Sequence, residues 1–350
     1  MTRTMPIDIV VPVYGGLAAT RRCLESVLAH AQQAPHEVVV IDDRGPEQEI
    51  GRHLDGLAAA GRVTLLRNER NLGFVQSVNR GMALHPDRDV VLLNSDTEVA
   101  NDWLDRLSAA AHSAKDIATA TPFSNNATIC SYPFEGWTGE VPGALGLAGL
   151  DAVFASTLAG RTLDIPTAVG FCMYIRRDAL QRVGLFDAER YGRGYGEEND
   201  FCMRALKSGW RHVLAADVFV FHEGSVSFGP EKLELIERAT QVLCEAHPDY
   251  PQRVHDFIAR DPARPLRDAI DAARVRRDGR EAARVAAERA QERPRAALAA
   301  TLGPMSRGAA LRLAGLMLRP RGGRALRTRL MQLVRNEGWG GIARRLRRIA

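Results

Sequence analysis

At 350 residues and 45% apolar content, the chain can build one large α/β domain of roughly 250 residues with an appendage, or two domains. Five cysteines (Cys23, Cys130, Cys172, Cys202 and Cys244) form an odd set with no CxxC pair, which excludes a disulfide framework and a cysteine zinc site and fits a reducing compartment. The formal charge of +5 hides an acidic body and a basic tail: residues 261–350 hold 22 Arg, no Lys and 8 acids, net +14, and the first 260 carry net −9.

Ile7-Asp-Ile-Val-Val-Pro-Val13 reads as a first strand directly behind Met1-Thr-Arg-Thr-Met-Pro6, so no secretory leader is expected. Thr20 is expected to cap a helix whose apolar face holds Leu24, Val27 and Leu28. Glu37-Val-Val-Val-Ile41 is a nearly continuous apolar run, the pattern of a strand buried on both faces of a parallel sheet, and it ends in Asp42-Asp43. Val63 to Leu66 predicts a third strand, Val75 to Leu84 a helix, and Asp89 to Leu93 a fourth strand running into Asn94-Ser-Asp96. Residues 121–165 read as a long loop, either a functional lid or acceptor-binding segment or a mobile one, carrying Phe123, Tyr132, Phe134 and Trp137, with Trp137 the candidate sugar platform and Trp210 a core anchor. Val169 to Ile175 predicts a strand, followed by a helix from Arg177, a helix from about Phe201 to Ser208, and a strand Val218 to His222. Arg264 to Arg293 reads as one or two solvated helices, with Arg and acid at helical spacing. No run reaches the roughly 18 apolar residues of a membrane-spanning helix.

The segment Gly194-Tyr-Gly-Glu-Glu-Asn-Asp-Phe-Cys-Met-Arg204 sets Glu197, Glu198 and Asp200 within four positions. Carboxylates this dense repel one another unless a metal ion, an arginine or a substrate hydroxyl uses them. The plainer alternative is the acidic first turn of a helix, where the dipole favours negative charge. Tyr14-Gly-Gly, Asp42-Asp43, Asn94-Ser-Asp96 and the acidic cluster with His222 are all predicted at the carboxyl edge of the sheet, where open α/β sheets bind ligands.

These features fall in a definite order with Asn68 to Phe74, Asn79-Arg-Gly81, Gly170-Phe-Cys-Met173, Gly184-Leu-Phe-Asp187 and His222-Glu-Gly-Ser225. The ordered set, over about residues 6–260, resembles a family 2 glycosyltransferase with the GT-A nucleotide-sugar fold. The resemblance implies a mixed α/β sheet flanked by helices in residues 1–260; the shift to Ala and Arg from Asp261 makes 261–350 an Arg-rich helical extension. It implies an inverting enzyme that moves a hexosyl or deoxyhexosyl group from a nucleotide-diphosphate sugar to a hydroxyl of a glycan or lipid-linked acceptor, in cell-surface polysaccharide synthesis. The alternative is a non-catalytic nucleotide-sugar-binding or scaffold protein on the same fold, motivated by Asn94 where the family has aspartate. A dinucleotide oxidoreductase would want a GxGxxG that the first turn lacks.

By the resemblance, Asp96 and His222 hold Mn²⁺ or Mg²⁺ against the donor diphosphate, with Asn94 and Ser95 beside them; for His222 the plainer reading is a histidine hydrogen-bonded at a strand end. Asp42 and Asp43 read base and ribose, with Tyr14 stacking on the base, Pro12 shaping the loop, Gly73 approaching the nucleotide and Arg70 facing phosphate; the alternative for both aspartates is capping of the next turn. Glu198 is the catalytic base, and Glu197 and Asp200 orient it or bind acceptor hydroxyls. Between Ser306 and Ala350, twelve Arg interleave with Leu. That pattern fits a basic amphipathic element on the inner face of the plasma membrane, a helix docked on the acidic body, or disorder, within a cytoplasmic protein. Nucleic acid is not an expected partner, because aromatic platforms and DNA-binding motifs are lacking.

Overall fold

The computed structural model describes residues 5–140, 143–224 and 232–292. The Arg-Leu tail expected at a membrane surface, and Ser225, lie outside these residues. In chain order the elements are β1 (Ile7–Val13), α1 (Leu17–Ala29), β2 (His36–Asp42), α2 (Gln48–Ala59), β3 (Thr64–Arg67), α3 (Phe74–Met82), β4 (Asp89–Leu93), β5 (Thr97–Glu98) and α4 (Trp103–Ala111). There follow β6 (Ile117–Ser124), a short 3₁₀ turn, α5 (Gly146–Thr157), β7 (Thr162–Ile165), β8 (Cys172–Ile175), α6 (Arg177–Val183), α7 (Ala188–Tyr191), α8 (Glu197–Lys207) and β9 (Arg211–His222). Four helices close the described chain: α9 (Lys232–Ala246), α10 (Tyr250–Arg260), α11 (Arg264–Arg277) and α12 (Glu281–Ala290).

The strands form one mixed sheet in the order β3-β2-β1-β4-β8-β6-β9-β5, with β7 on the outer side of β9. β3, β2, β1 and β4 run parallel, β8 runs against them, and β6 and β9 return to the original direction. Period-2 alternation divides the core. Ile7, Ile9, Val11 and Val13 face one apolar layer with Val38, Val40, Val91 and Leu93, and Val10, Val39, Ile41, Val90 and Leu92 face the other. The first layer is covered by α1, α4, α5 and α11, and the second by α3, α6 and α8. Both faces are dry, which is why β2 and β4 read as unbroken apolar runs. The carboxyl ends of β1, β2, β4, β6 and β9 and the start of β8 therefore share one edge.

Several local expectations change. α1 starts at Leu17 behind Gly16, and Thr20 is buried inside it; the capping acceptor is the Glu47 carboxylate, which takes the N–H of Gly16 at 2.6 Å and of Leu17 at 3.3 Å. The acidic cluster opens α8 at Glu197 instead of preceding a helix at Phe201. Much of the expected 121–165 loop is ordered, as the end of β6, α5 and β7; the Gly- and Ala-rich composition of α5 conceals its helix. β9 begins at Arg211, well before Val218, and its register against β6 shifts between Pro122 and Phe123.

The C-terminal helices are not simply solvated. Phe257, Ala263, Leu266 and Ile270 join the first apolar layer, and Arg274 is wholly buried. Its guanidinium donates to Glu281 at 2.6 Å and Glu288 at 2.8 Å, and to the Tyr132 hydroxyl at 2.8 Å, while Tyr132 donates to Asp271 at 2.6 Å. Glu281 also accepts from the Ala144 N–H at 3.0 Å, so α11 and α12 hold the chain at Tyr132 and at Ala144. Removing one cation from such a cluster strands two buried acids. Arg274→Ala should cost about 3–5 kcal/mol in urea unfolding; a loss below about 1 kcal/mol would show that the cluster is not holding these helices.

Candidate active site at the carboxyl edge of the sheet

The shortest strand does the decisive placing. β5 pairs antiparallel with the end of β9, Thr97 opposite His222 and Glu98 opposite Phe221. This register sets Asp96 beside His222, with Nε2 to Oδ1 at 3.4 Å. The other ring nitrogen, Nδ1, lies 2.7 Å from the Asn126 carbonyl oxygen. A carbonyl only accepts, so Nδ1 carries a proton, and Nε2 is the ring atom turned toward Asp96. Burial pushes the Asp96 carboxyl up, but hydrogen bonding and charge from His222, with backbone N–H groups including Gly224, outweigh it and hold it below the ordinary value. An imidazole lone pair facing an ionised carboxylate is repulsive unless a proton or cation lies between them. Two ligand atoms 3.4 Å apart suit neighbouring positions on an ion with bonds of about 2.0–2.2 Å, so these residues fit Mn²⁺ or Mg²⁺. The His222 ring stacks on Phe171 with centroids 5.2 Å apart, and the Phe171 carbonyl accepts the Asn94 N–H at 2.8 Å. Ser95 is buried in this turn, whereas Asn94 is half-buried.

Glu198 lies against Gly170, the residue before Phe171. A Cβ on Gly170 would sit 3.6 Å from Glu198 Cγ, so Glu198 lies over Gly170 while His222 stacks on Phe171. Burial raises the Glu198 carboxyl, and neighbouring backbone N–H groups and Asn199 do not fully offset it. Glu197 is buried, its Oε2 has no partner among the described residues, and burial followed by the Glu198 charge pushes it well above the ordinary range. Asp200 does not join them. Its oxygens are taken by Arg204 Nε at 2.7 Å and His247 Nε2 at 2.8 Å, which fastens α8 to the end of α9.

The two aspartates after β2 are likewise occupied. Asp42 accepts from the Arg44 N–H at 3.0 Å and pairs with Arg67 at 2.6 Å, so the turn-capping alternative describes it. Asp43 accepts from Asn68 Nδ2 at 2.8 Å and from the N–H groups of Leu72 at 2.7 Å and Gly73 at 2.9 Å. Gly73 has φ +85°, and a Cβ there would meet Arg193 Cα at 2.9 Å, while the Phe74 N–H donates to the Arg193 carbonyl at 3.2 Å. Asp43 thus shapes the turn against which the approach to Glu197 and Glu198 is packed. Pro12 sits in β1 opposite Ile41. Tyr14 is half-buried just past the end of β1, and its carbonyl passes so close to Gly45 that a Cβ there would lie 1.4 Å away. Arg70 is exposed on the 68–73 turn and makes no ion pair among the described residues. Trp137 is buried against Phe134 at 5.2 Å, so it offers no open face to a sugar, and Trp210 packs under the Arg176 guanidinium.

A second group of possible ligands, Asp8, Glu37 and His85, lies at the opposite, amino edge of the parallel strands. Arg88 already neutralises it, reaching Asp8 at 3.0 Å and Glu37 at 2.6 Å. Sequence reasoning missed Asn125, Asn126 and Phe171, which fix the His222 ring; the one signal was an Asn-Asn pair at the end of a strand.

The family model for glycosyl transferase family 2 matches residues 8–184, just over half of the chain. No curated protein sequence matches. Among solved structures, GalNAc-T7 with UDP, GalNAc and Mn²⁺ is similar over 77% of this chain and 55% of its own, at 18% identity and a TM-score of 0.53. The chain thus spans about half the length of that relative, and the likeness is one of fold. The mannosyltransferase PcManGT from Pyrobaculum calidifontis, in complex with GDP-Man and Mn²⁺, is similar over 90% of this chain and 87% of its own, at 16% identity and a TM-score of 0.49. The match runs from β1 to the end of α6 across Asp43 and Asp96, on a mixed sheet of GT-A type, and the chain belongs to glycosyl transferase family 2.

Proposed function

We propose that this chain is an inverting glycosyltransferase that takes a sugar from a nucleoside-diphosphate donor bound along the carboxyl edge. The observation that carries the reading is the Gly170-Phe171 dipeptide, with Glu198 over one residue and His222, facing Asp96, stacked on the other. Asp96 and His222 would hold a Mn²⁺ or Mg²⁺ ion, which would supply positive charge for the departing diphosphate. The Mn²⁺ and UDP present with GalNAc-T7 agree with that donor class. Tyr14, Gly73 and the half-buried Asn94 line the approach for the nucleotide, while Asp43 keeps the Gly73 turn in place.

Glu198 accepts the proton of the acceptor hydroxyl as its oxygen attacks the anomeric carbon. The bond to the diphosphate oxygen breaks on the opposite face, and the electron pair leaves with the nucleotide, so configuration inverts. Burial, and then the Glu198 charge, push the Glu197 carboxyl well above its ordinary value, which favours Glu197 as the member of the pair that takes up a proton first. We place the catalytic unit in residues 1–260 and regard 261–350 as an extension whose first helices brace it. A lipid-linked or glycan acceptor of cell-surface polysaccharide synthesis suits the Arg-Leu tail, which would rest on anionic lipid. No described helix is long and apolar enough to cross a membrane.

UDP, dTDP and GDP sugars should raise the melting temperature only with Mn²⁺ or Mg²⁺ present, since a ligand of the folded form must stabilise it. Glu198→Gln should lower kcat by about a thousandfold with donor affinity retained; a variant that turns over at the wild-type rate rules Glu198 out as base. The base must be ionised, and burial raises its folded-state value, so kcat/KM should fall as pH drops, with the acidic limb above the ordinary 4.5. Asp96, held low, stays charged through that limb. A profile flat down to pH 4.5 would contradict the assignment.

A further inference from the structure

His222 is set by more than its strand. Asn125 is buried, and its side-chain amide pairs with both backbone groups of His222: Oδ1 accepts the His222 N–H at 2.8 Å and Nδ2 donates to the His222 carbonyl at 3.0 Å. The same Nδ2 donates to the Gly139 carbonyl at 2.7 Å, which closes the segment 125–139 on itself. Asn126 then supplies the carbonyl that accepts from His222 Nδ1. Its side chain lies against Gly224, where a Cβ would sit 1.9 Å from Asn126 Nδ2, and the Gly224 N–H donates to Asp96 Oδ2 at 3.1 Å. Two consecutive asparagines therefore both touch the 222–224 segment, which carries His222 and donates a backbone N–H to Asp96.

We propose that Asn125 and Asn126 are the positioning pair of the metal site, Asn125 fixing the His222 backbone and Asn126 fixing the ring tautomer so that Nε2 remains a free ligand. The inference rests on the Asp96–His222 reading above. A buried amide that satisfies three backbone groups cannot be replaced by water without loosening the strand end. A ring whose Nδ1–H is committed to a carbonyl cannot flip or exchange its proton to Nε2 without breaking that bond. The pair also gives the C-terminal helices a route to the site. Tyr132, held by Arg274 and Asp271, donates its N–H to the Ser124 carbonyl at 2.8 Å, immediately before Asn125.

The test is Mn²⁺ binding, followed by EPR of the free aquo ion with UDP present, for wild type, Asn125→Ala and His222→Ala, each checked for wild-type circular dichroism. Asn125→Ala should weaken Mn²⁺ by about tenfold, approaching the loss in His222→Ala; a merely structural role would lower Tm and leave the Mn²⁺ constant unmoved. Mn²⁺ affinity within twofold of wild type in Asn125→Ala, with His222→Ala clearly weakened, overturns this inference and leaves the metal reading intact. An unchanged His222→Ala brings down both. If Asn125→Ala does not fold, long-range ¹⁵N–¹H spectra of the metal-free wild type decide. An Nδ1–H tautomer for His222 supports the pair, and an Nε2–H tautomer overturns it.

Discussion

The candidate site depends on two residues of β5 pairing with the last two of β9. Asp96 and His222 are distant in sequence, and neither is conformationally committed to the other until Thr97 and His222 share a register. That register is not easily lost. β9 is twelve residues long, its central run is buried, and it is held by β6 on one side and by β7 and β5 on the other. A one-residue slip would turn its buried side chains out of their layer at each position, at roughly 1.5–3 kcal/mol for each large apolar group exposed. The strand is a rigid rod with the imidazole at its tip.

Acidic residues serve two different purposes along this edge, and hydrogen-bond satisfaction separates them. Asp42, Asp43 and Asp200 have their oxygens filled by arginine, histidine, asparagine or backbone donors, and each fastens a turn or a helix. Asp96 faces His222 Nε2 at 3.4 Å, Glu197 has an oxygen without a partner among the described residues, and Glu198 lies partly open over Gly170. Native interiors satisfy nearly all their buried polar groups, but Asp217 and Arg267 also carry unpaired buried atoms, so the incomplete acids bear on a ligand only together with their place at the carboxyl edge.

Much of this was legible in the residues. The apolar runs ending in Asp42-Asp43 and Asn94-Ser-Asp96 gave the strands and their shared edge, because burial on both faces leaves a periodic signature. The acidic cluster before Arg204 was visible as chemistry, but its division of labour was not. Whether Asp200 meets a substrate or His247 depends on where α9 folds back, and no local pattern encodes that. The weak apolar contrast of α5 and the bulged start of β9 concealed real elements, and a helical Arg-acid pattern concealed a buried ionic cluster around Arg274. Asn125 and Asn126 read as loop residues because their partners lie far along the chain.

The central claim is that one divalent cation sits between Asp96 and His222 when the nucleotide is bound. Anomalous diffraction at the manganese edge, from crystals grown with Mn²⁺ and a nucleoside diphosphate, tests it directly. The account predicts a peak within about 2.3 Å of both the Asp96 carboxylate and His222 Nε2. A peak at Asp8, Glu37 and His85 instead, or a fully bound nucleotide with no peak beside His222, would contradict it.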